Sequence, residues 1–211
     1  ACAEKGTPIA DGDVLVVTGC RASTITEDDS HGSFFWGDGA AAVVLSASAG
    51  PGVRFVDYAE ASAGAGWDAM RVAFGDGRPG ETCDVPDDFR ITVAFASTEE
   101  QLAYIEAENR LFTSVVEDLL GRHGLVEGDI DALFLPSFGR NRLSRLMAGL
   151  ETLRARIATD FRYGHMGGVD DILFLRRYLE DRPRDRGSWL IAMTSAFTAQ
   201  WAGVLLRDVP E

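Results

Sequence analysis

A single histidine, His165, stands in the turn-rich stretch DFRYGHMGGVDDILF, directly before a helix start. An imidazole moves a proton near neutral pH and donates a hydrogen bond to a carbonyl oxygen, so this position suits acid–base work. A turn histidine with satisfied hydrogen bonds is the structural alternative. Residues 139–162 carry Arg140, Arg142, Arg145, Arg154, Arg156 and Arg162 against Glu151 and Asp160, inside a chain of net charge −13. A basic stretch of that kind suits docking of an acidic partner or a phosphate, or forms a solvated helix face. The WGDGAAA stretch lacks both a following lysine and the G-x-G-x-x-G spacing, which argues against a nucleotide site. The histidines (His31, His123, His165) and cysteines (Cys2, Cys20, Cys83) are scattered. No metal centre, no disulfide framework and no cofactor are expected, and a reducing cytoplasm is the expected compartment.

Behind these residues the chain alternates strand and helix patterns. DVLVVTG (residues 13–19) and AAAVVLSA read as short buried strands, and GVRFVDYAEAS alternates as a half-exposed one. Residues 75–88, rich in Gly, Pro and Asp, read as loop. Phe112, Val115, Val116, Leu119 and Leu120 form the stripe of an amphipathic helix, with Gly121 and Gly124 as its stop. DIDALFLP reads as a strand ending at Pro136. Leu143, Leu146, Met147 and Leu150 make a second helical stripe, and a further helix runs from about Val169 to Leu179. SWLIAMTS and FTAQWAGVLLR close the chain as strands. The pattern predicts an α/β protein with a largely buried mixed sheet. The length of 211 residues holds one sizeable core or two small ones. The net charge of −13 disfavours nucleic acid. No apolar run approaches the ~20 residues of a membrane span, and the opening ACAEKGTPIADGD has no signal-peptide pattern.

Four stretches, in order, resemble the ketoacyl-ACP synthase III family of the thiolase fold. VLVVTG with FFWGDGAAAVVL resembles its strand and F-G-D-G-A-G-A-x-V-L signature. GLVEGDIDALFLPSFGRNRL resembles G-L-x-x-x-D-I-D-x-x-x-x-H-Q-A-N-x-R, FRYGHMGG resembles R-Y-G-N-T-S/G, and LIAMTSAFTAQWAGVLLR resembles the closing glycine-rich turn and strand. The resemblance implies a thiolase-like layered α/β sandwich with mixed sheets. Residues 1–90 would be the remainder of the first half and residues 91–211 the second half, its core beginning near Ile91. In this family a cysteine thiolate takes the acyl group from a thioester, a histidine and an asparagine hold the thioester oxygen, and glycine N–H groups complete an oxyanion hole.

The sequence departs from that pattern at each step. The family histidine falls on Ser137, the motif asparagine on Arg140 and the catalytic asparagine on His165. Ser195 and Ala196 stand where turn glycines are expected, in a turn about two residues longer. The ACA around Cys2 resembles the nucleophile motif faintly, yet its spacing to VLVVTG is several residues short. The nucleophile is therefore either Cys2 or, preferred, a cysteine on a portion outside this sequence or on a partner chain. If the fold holds, Ser137 and His165 could face one pocket as an altered acyl-transfer dyad. Ser137 also reads as a plain loop serine, Asp38 and its flanking glycines as a structural turn, and Phe34, Phe35 and Trp36 as core or dimer-interface residues. The resemblance implies an acyltransferase of specialised, polyketide- or fatty-acid-type metabolism. It would use acyl carrier protein or acyl-CoA, with Arg140, Arg142 and Arg145 docking the carrier or its phosphopantetheine. The alternative is a catalytically silent partner of a synthase-like chain; either way a homo- or hetero-oligomer is expected. The family's adenine-contacting arginine is not evident near EDDSHGS, which tilts the donor toward a carrier protein.

Overall fold

The structure is a computed structural model that describes residues 13–21, 37–47, 51–64, 70–73, 90–93, 95–181, 187–196 and 199–210. Cys2, Phe34, Phe35, Trp36 and the loop expected over residues 75–88 lie outside these. The elements in order are β1 (Val14–Arg21), β2 (Asp38–Leu45), β3 (Gly52–Ser62), β4 (Met70–Ala73), β5 (Arg90–Val93), α1 (Thr98–Arg122), β6 (Ile130–Phe134), α2 (Arg140–Leu146), α3 (Glu151–Arg154), α4 (Val169–Asp181), β7 (Ser188–Ala196) and β8 (Gln200–Val209).

The main sheet has the order β3-β8-β7-β6. β6 and β7 run parallel, with α2 to α4 as the crossover, while β7–β8 and β3–β8 are antiparallel. This is the mixed sheet that the alternating pattern predicts. Strand alternation divides its side chains between two layers. Ile130, Leu133, Leu135, Ile191 and Met193 join one apolar cluster with Phe112, Val115, Val116 and Leu119 of α1 and Leu143 and Leu146 of α2. Ala132, Phe134 and Leu190 join Phe174 in a second cluster, packed by Leu173 and Tyr178 of α4. Helices therefore cover both faces, which is the layered α/β sandwich of the thiolase-like fold.

α1 begins where Ser97 Oγ accepts from the Glu100 N–H at 3.1 Å and Glu100 accepts from the Ala96 N–H at 2.8 Å, reciprocal capping of the helix start. It stops where Gly124 takes a φ of 62° and the Leu125 N–H reaches back to the Leu120 carbonyl at 2.9 Å. That is a glycine-terminated helix end; Gly121 stays inside the helix. At the same end, Asp57 of β3 accepts from His123 and pairs with Arg122, each at 2.9 Å. The His123 hydrogen bond, ahead of that from the Tyr58 N–H, lowers the Asp57 carboxyl below its ordinary value.

Two expectations are corrected. β1 and β2 were expected to be buried, but they form a separate two-stranded antiparallel sheet with Leu15, Val17, Val44 and Leu45 exposed. α4 packs against this hairpin, and among the described residues no further layer covers it. The second concerns Asp38 and Gly39, expected in a turn; they open β2. β4 and β5 pair as a hairpin that the loop-like composition around them concealed. β3, which precedes residue 91, hydrogen-bonds along β8 from Gly52↔Val209 to Ser62↔Gln200.

Candidate active site

His165 is placed by a segment that only glycines can bend as required. Gly164 (φ 70°) and Gly167 (φ 61°) both adopt left-handed backbone on either side of it, a conformation costly for residues with a Cβ. The Asp160 carboxylate accepts from the Arg162 N–H at 3.0 Å and caps the short 3-10 turn Phe161–Tyr163. From the other side, the Gly37 N–H donates to the His165 carbonyl at 3.0 Å. A side chain at Gly37 would run into the Tyr163 carbonyl, and one at Gly39 would meet the Met166 sulfur at 2.6 Å. The glycines of the WGDG stretch thus serve close approach of β2 to the histidine segment.

Ser137 arrives from the end of β6. Thr159 zips that end to the following segment, donating its hydroxyl to the Leu135 carbonyl at 2.8 Å. Ser137 is buried, and its hydroxyl donates to the Asp160 carbonyl at 3.1 Å. Its backbone N–H donates to Asp170 Oδ2 at 2.9 Å. The same Oδ2 lies 2.8 Å from His165 Nδ1, and Asp170 Oδ1 accepts from the Met166 N–H at 3.0 Å. Asp170 has no solvent exposure, and His165 has 8%. Ser137 and His165 therefore come together through one buried carboxylate.

The surroundings combine aromatic and charged groups. The Phe138 ring centroid lies 5.5 Å from that of His165 and 6.0 Å from that of Trp201. Asp160 pairs with Arg162, whose hydrogen bond is the main cause of its carboxyl falling to about 2; Arg177 also pairs with it and adds to that pull. Next to Asp170, the Oδ1 atom of Asp171 is buried without a hydrogen bond. Burial first, and then the Asp170 charge, raise the Asp171 carboxyl well above its ordinary value. At the β7–β8 turn, Ala199 adopts φ 48° and its carbonyl accepts from the Ala63 N–H at 3.1 Å. Tyr104 hydrogen-bonds the Ala199 backbone, and burial, then Glu108, raise its hydroxyl to about 12.

The three arginines expected to dock a carrier separate. Arg140 and Arg145 are exposed on α2. Arg142 turns inward, where it pairs with the buried Glu108 and stacks 3.8 Å over the Phe138 ring. A guanidinium held by a carboxylate and an aromatic face braces the fold at that point. Cys2 lies outside the described residues, and Cys20 is half-buried on β1. Among the described residues no group of three or more His, Cys, Asp and Glu side chains could hold a metal ion. No described helix is long and apolar enough to cross a membrane. Asp170 was missed from the sequence. Its signal was an acidic pair opening a helix five residues after the histidine, which usually reads as ordinary helix-start chemistry.

Residues 9–64 match the family described as 3-oxoacyl-[acyl-carrier-protein (ACP)] synthase III. No curated protein sequence matches the chain. Among solved structures, the priming β-ketosynthase from the R1128 polyketide biosynthetic pathway is 19% identical, with a TM-score of 0.72 over 94% of this chain and 58% of its own. The acyltransferase ChlB3 is 21% identical, with a TM-score of 0.68 over 94% of this chain and 60% of its own. The β-ketoacyl-[acyl carrier protein] synthase III from Thermus thermophilus is 18% identical, with a TM-score of 0.67 over 92% of this chain and 58% of its own. The chain thus spans about three-fifths of the length of these structures. The sequence of residues 9–64 is similar to that family, and nearly the whole chain shares the thiolase-like fold of these ketoacyl synthases over part of their length.

Proposed function

We propose that the chain is the site-bearing part of a cytoplasmic acyltransferase of specialised, polyketide- or fatty-acid-type metabolism. It moves an acyl group from a carrier-protein or CoA thioester to an acceptor. The carrying observation is the buried Asp170 carboxylate that draws His165 and Ser137 into one cluster at the end of the parallel β6. A buried carboxylate behind an imidazole is the arrangement of a general acid–base, and acyl transfer needs one. The nucleophilic cysteine is proposed on a portion outside this sequence or on a partner chain, with Cys2 as the candidate within it. Arg140 and Arg145, exposed on α2, remain the proposed contacts for an acidic carrier protein.

The test is intact mass spectrometry of the native assembly after incubation with a panel of acyl thioesters. One added acyl mass on any chain, located by fragmentation, supports the reading; no acylation on any chain overturns it. A second reading, a catalytically silent partner of a synthase-like chain, is favoured by one observation. The Ser137 hydroxyl donates into the chain's own backbone at Asp160 rather than toward a substrate. Acylation confined to a co-purifying chain, with turnover insensitive to His165→Ala, identifies that case.

A further inference from the structure

We propose that Asp170 is a positioning residue that holds His165 as a general base through Nε2, so that the acyl acceptor is a protic nucleophile, a hydroxyl or an amine. This rests on the acyl-transfer reading above. Three donors converge on the fully buried Asp170: the Ser137 N–H and His165 Nδ1 on Oδ2, and the Met166 N–H on Oδ1. A carboxylate only accepts, so its partner Nδ1 carries the proton, and proton exchange with an acceptor runs through Nε2. The two backbone donors come from different segments, one after β6 and one before α4. Together they fix the rotation of the carboxylate and, through it, the plane of the ring. The left-handed glycines Gly164 and Gly167 and the Gly37 N–H bond to the His165 carbonyl hold the backbone of the same residue. The Asp170 contact fixes ring and tautomer, and separate contacts fix the backbone, the pre-organisation that a base needs.

The chemistry separates the two acceptor classes. A carbanion made by loss of CO2 has no proton to give up and needs only hydrogen-bond donors on its enolate oxygen. A hydroxyl or amine must lose a proton as it attacks. In the proposed step the acceptor heteroatom bonds to the thioester carbonyl carbon while its proton passes to His165 Nε2. The tetrahedral oxyanion then collapses, the C–S bond breaks, and the departing thiolate takes the proton from the imidazolium. Thioester and alcohol or amine become ester or amide and thiol, with no change of oxidation state.

The experiment starts from the complete assembly already carrying an acetyl group, delivered from acetyl-pantetheine. It follows single-turnover loss of that group to hydroxylamine and to water, in the unaltered protein, in Asp170→Asn and in His165→Asn. An asparagine at 170 has one acceptor oxygen for these three donors, so its NH2 must face at least one of them and the imidazole loses its charged acceptor. Loss of the acetyl group should slow by about 100-fold or more in both variants. The 15N resonances of His165 should report the Nδ1–H form in the unaltered protein and a weaker preference for it in Asp170→Asn, and the pH profile of deacylation should change with it, which a purely structural role would not produce. Equal deacylation in folded Asp170→Asn would overturn the proposal. So would an Nε2–H tautomer in the unaltered protein, or efficient decarboxylative condensation with malonyl-pantetheine. All three leave the acyl-transfer reading standing. Failure of the assembly to accept any acyl group overturns that reading, and the proposal with it.

Discussion

His165 and Asp170 carry the functional argument at the scale of single residues, and the strongest test of the first is its removal. His165→Ala in the complete assembly should reduce acyl transfer by at least ~100-fold; unchanged turnover would end its catalytic role. Asp160 makes a separate, pH-linked prediction. Its carboxyl falls from 3.8 to about 2 in the fold, held chiefly by the Arg162 hydrogen bond. A carboxylate whose folded value lies below its unfolded one stabilises the protein at pH values above the unfolded value, and that contribution fades as pH falls toward the folded one. The stabilisation is therefore complete above 3.8 and lost as the pH approaches about 2. Asp160→Asn should flatten the acid limb of the stability curve in that window and leave its shape above about pH 5 unchanged. Urea-unfolding midpoints between about pH 2 and 6 measure it, and an unchanged acid limb would refute it.

Among the elements, two close approaches position the site. β2 meets the His165 segment where Gly37 lies against the Tyr163 carbonyl, and α1 meets β8 where Gly203 lies under the helix. A Cβ at Gly203 would sit 2.6 Å from the Met193 sulfur and 3.0 Å from side-chain carbons of Leu119 and Val115. Gly203→Ala should cost about 1–3 kcal/mol, the range of overpacking in a tight core. Gly37→Ala should cost at least as much, because the obstacle there is backbone, and it should also shift the amide resonances of residues 163–168. Wild-type midpoints in denaturant for either variant would show that the contacts relax freely. The α1 start offers a milder check: Ser97→Ala removes the capping oxygen and should cost about 1 kcal/mol.

For the whole molecule, the consequential feature is the open β1–β2 hairpin. Leu15 and Val17 are 58% and 64% exposed, and Val44 and Leu45 are 59% and 52% exposed. An apolar patch of this kind on a soluble protein marks an interaction surface or an aggregation liability. The isolated chain should therefore self-associate and bind a hydrophobic dye, and Leu15→Lys with Val44→Lys should reduce both. A monodisperse monomer that binds no dye would refute this. The division into a remainder of a first half (residues 1–90) and a second half (residues 91–211) remains a proposal on this scale. Limited proteolysis can test it, and β3 is the element to watch, because its ladder with β8 joins sequence from both sides of that division.

The sequence was enough to locate α1, whose apolar stripe repeats every three to four residues, and β6, β7 and β8, whose apolar runs end at turn residues, with α4 as the helix after the glycine-rich bend. Ordered motifs were enough to place His165 and Ser137 at neighbouring positions of a known fold. Burial of β1 and β2 was not legible. Apolar β-branched runs have the same composition whether or not another layer covers them, and only the arrangement of layers reveals that Leu15 and Val44 face solvent. The inward turn of Arg142 was hidden for a like reason: a guanidinium goes to the surface unless a distant carboxylate and ring, here Glu108 and Phe138, await it. Asp170 shows the same limit most sharply. In sequence it is one of two acids at a helix start. Only tertiary structure brings the end of β6, the bend at His165 and the first turn of α4 to the two oxygens of one carboxylate. Hydrogen bonding acts over about 3 Å in space and has no fixed spacing along the chain.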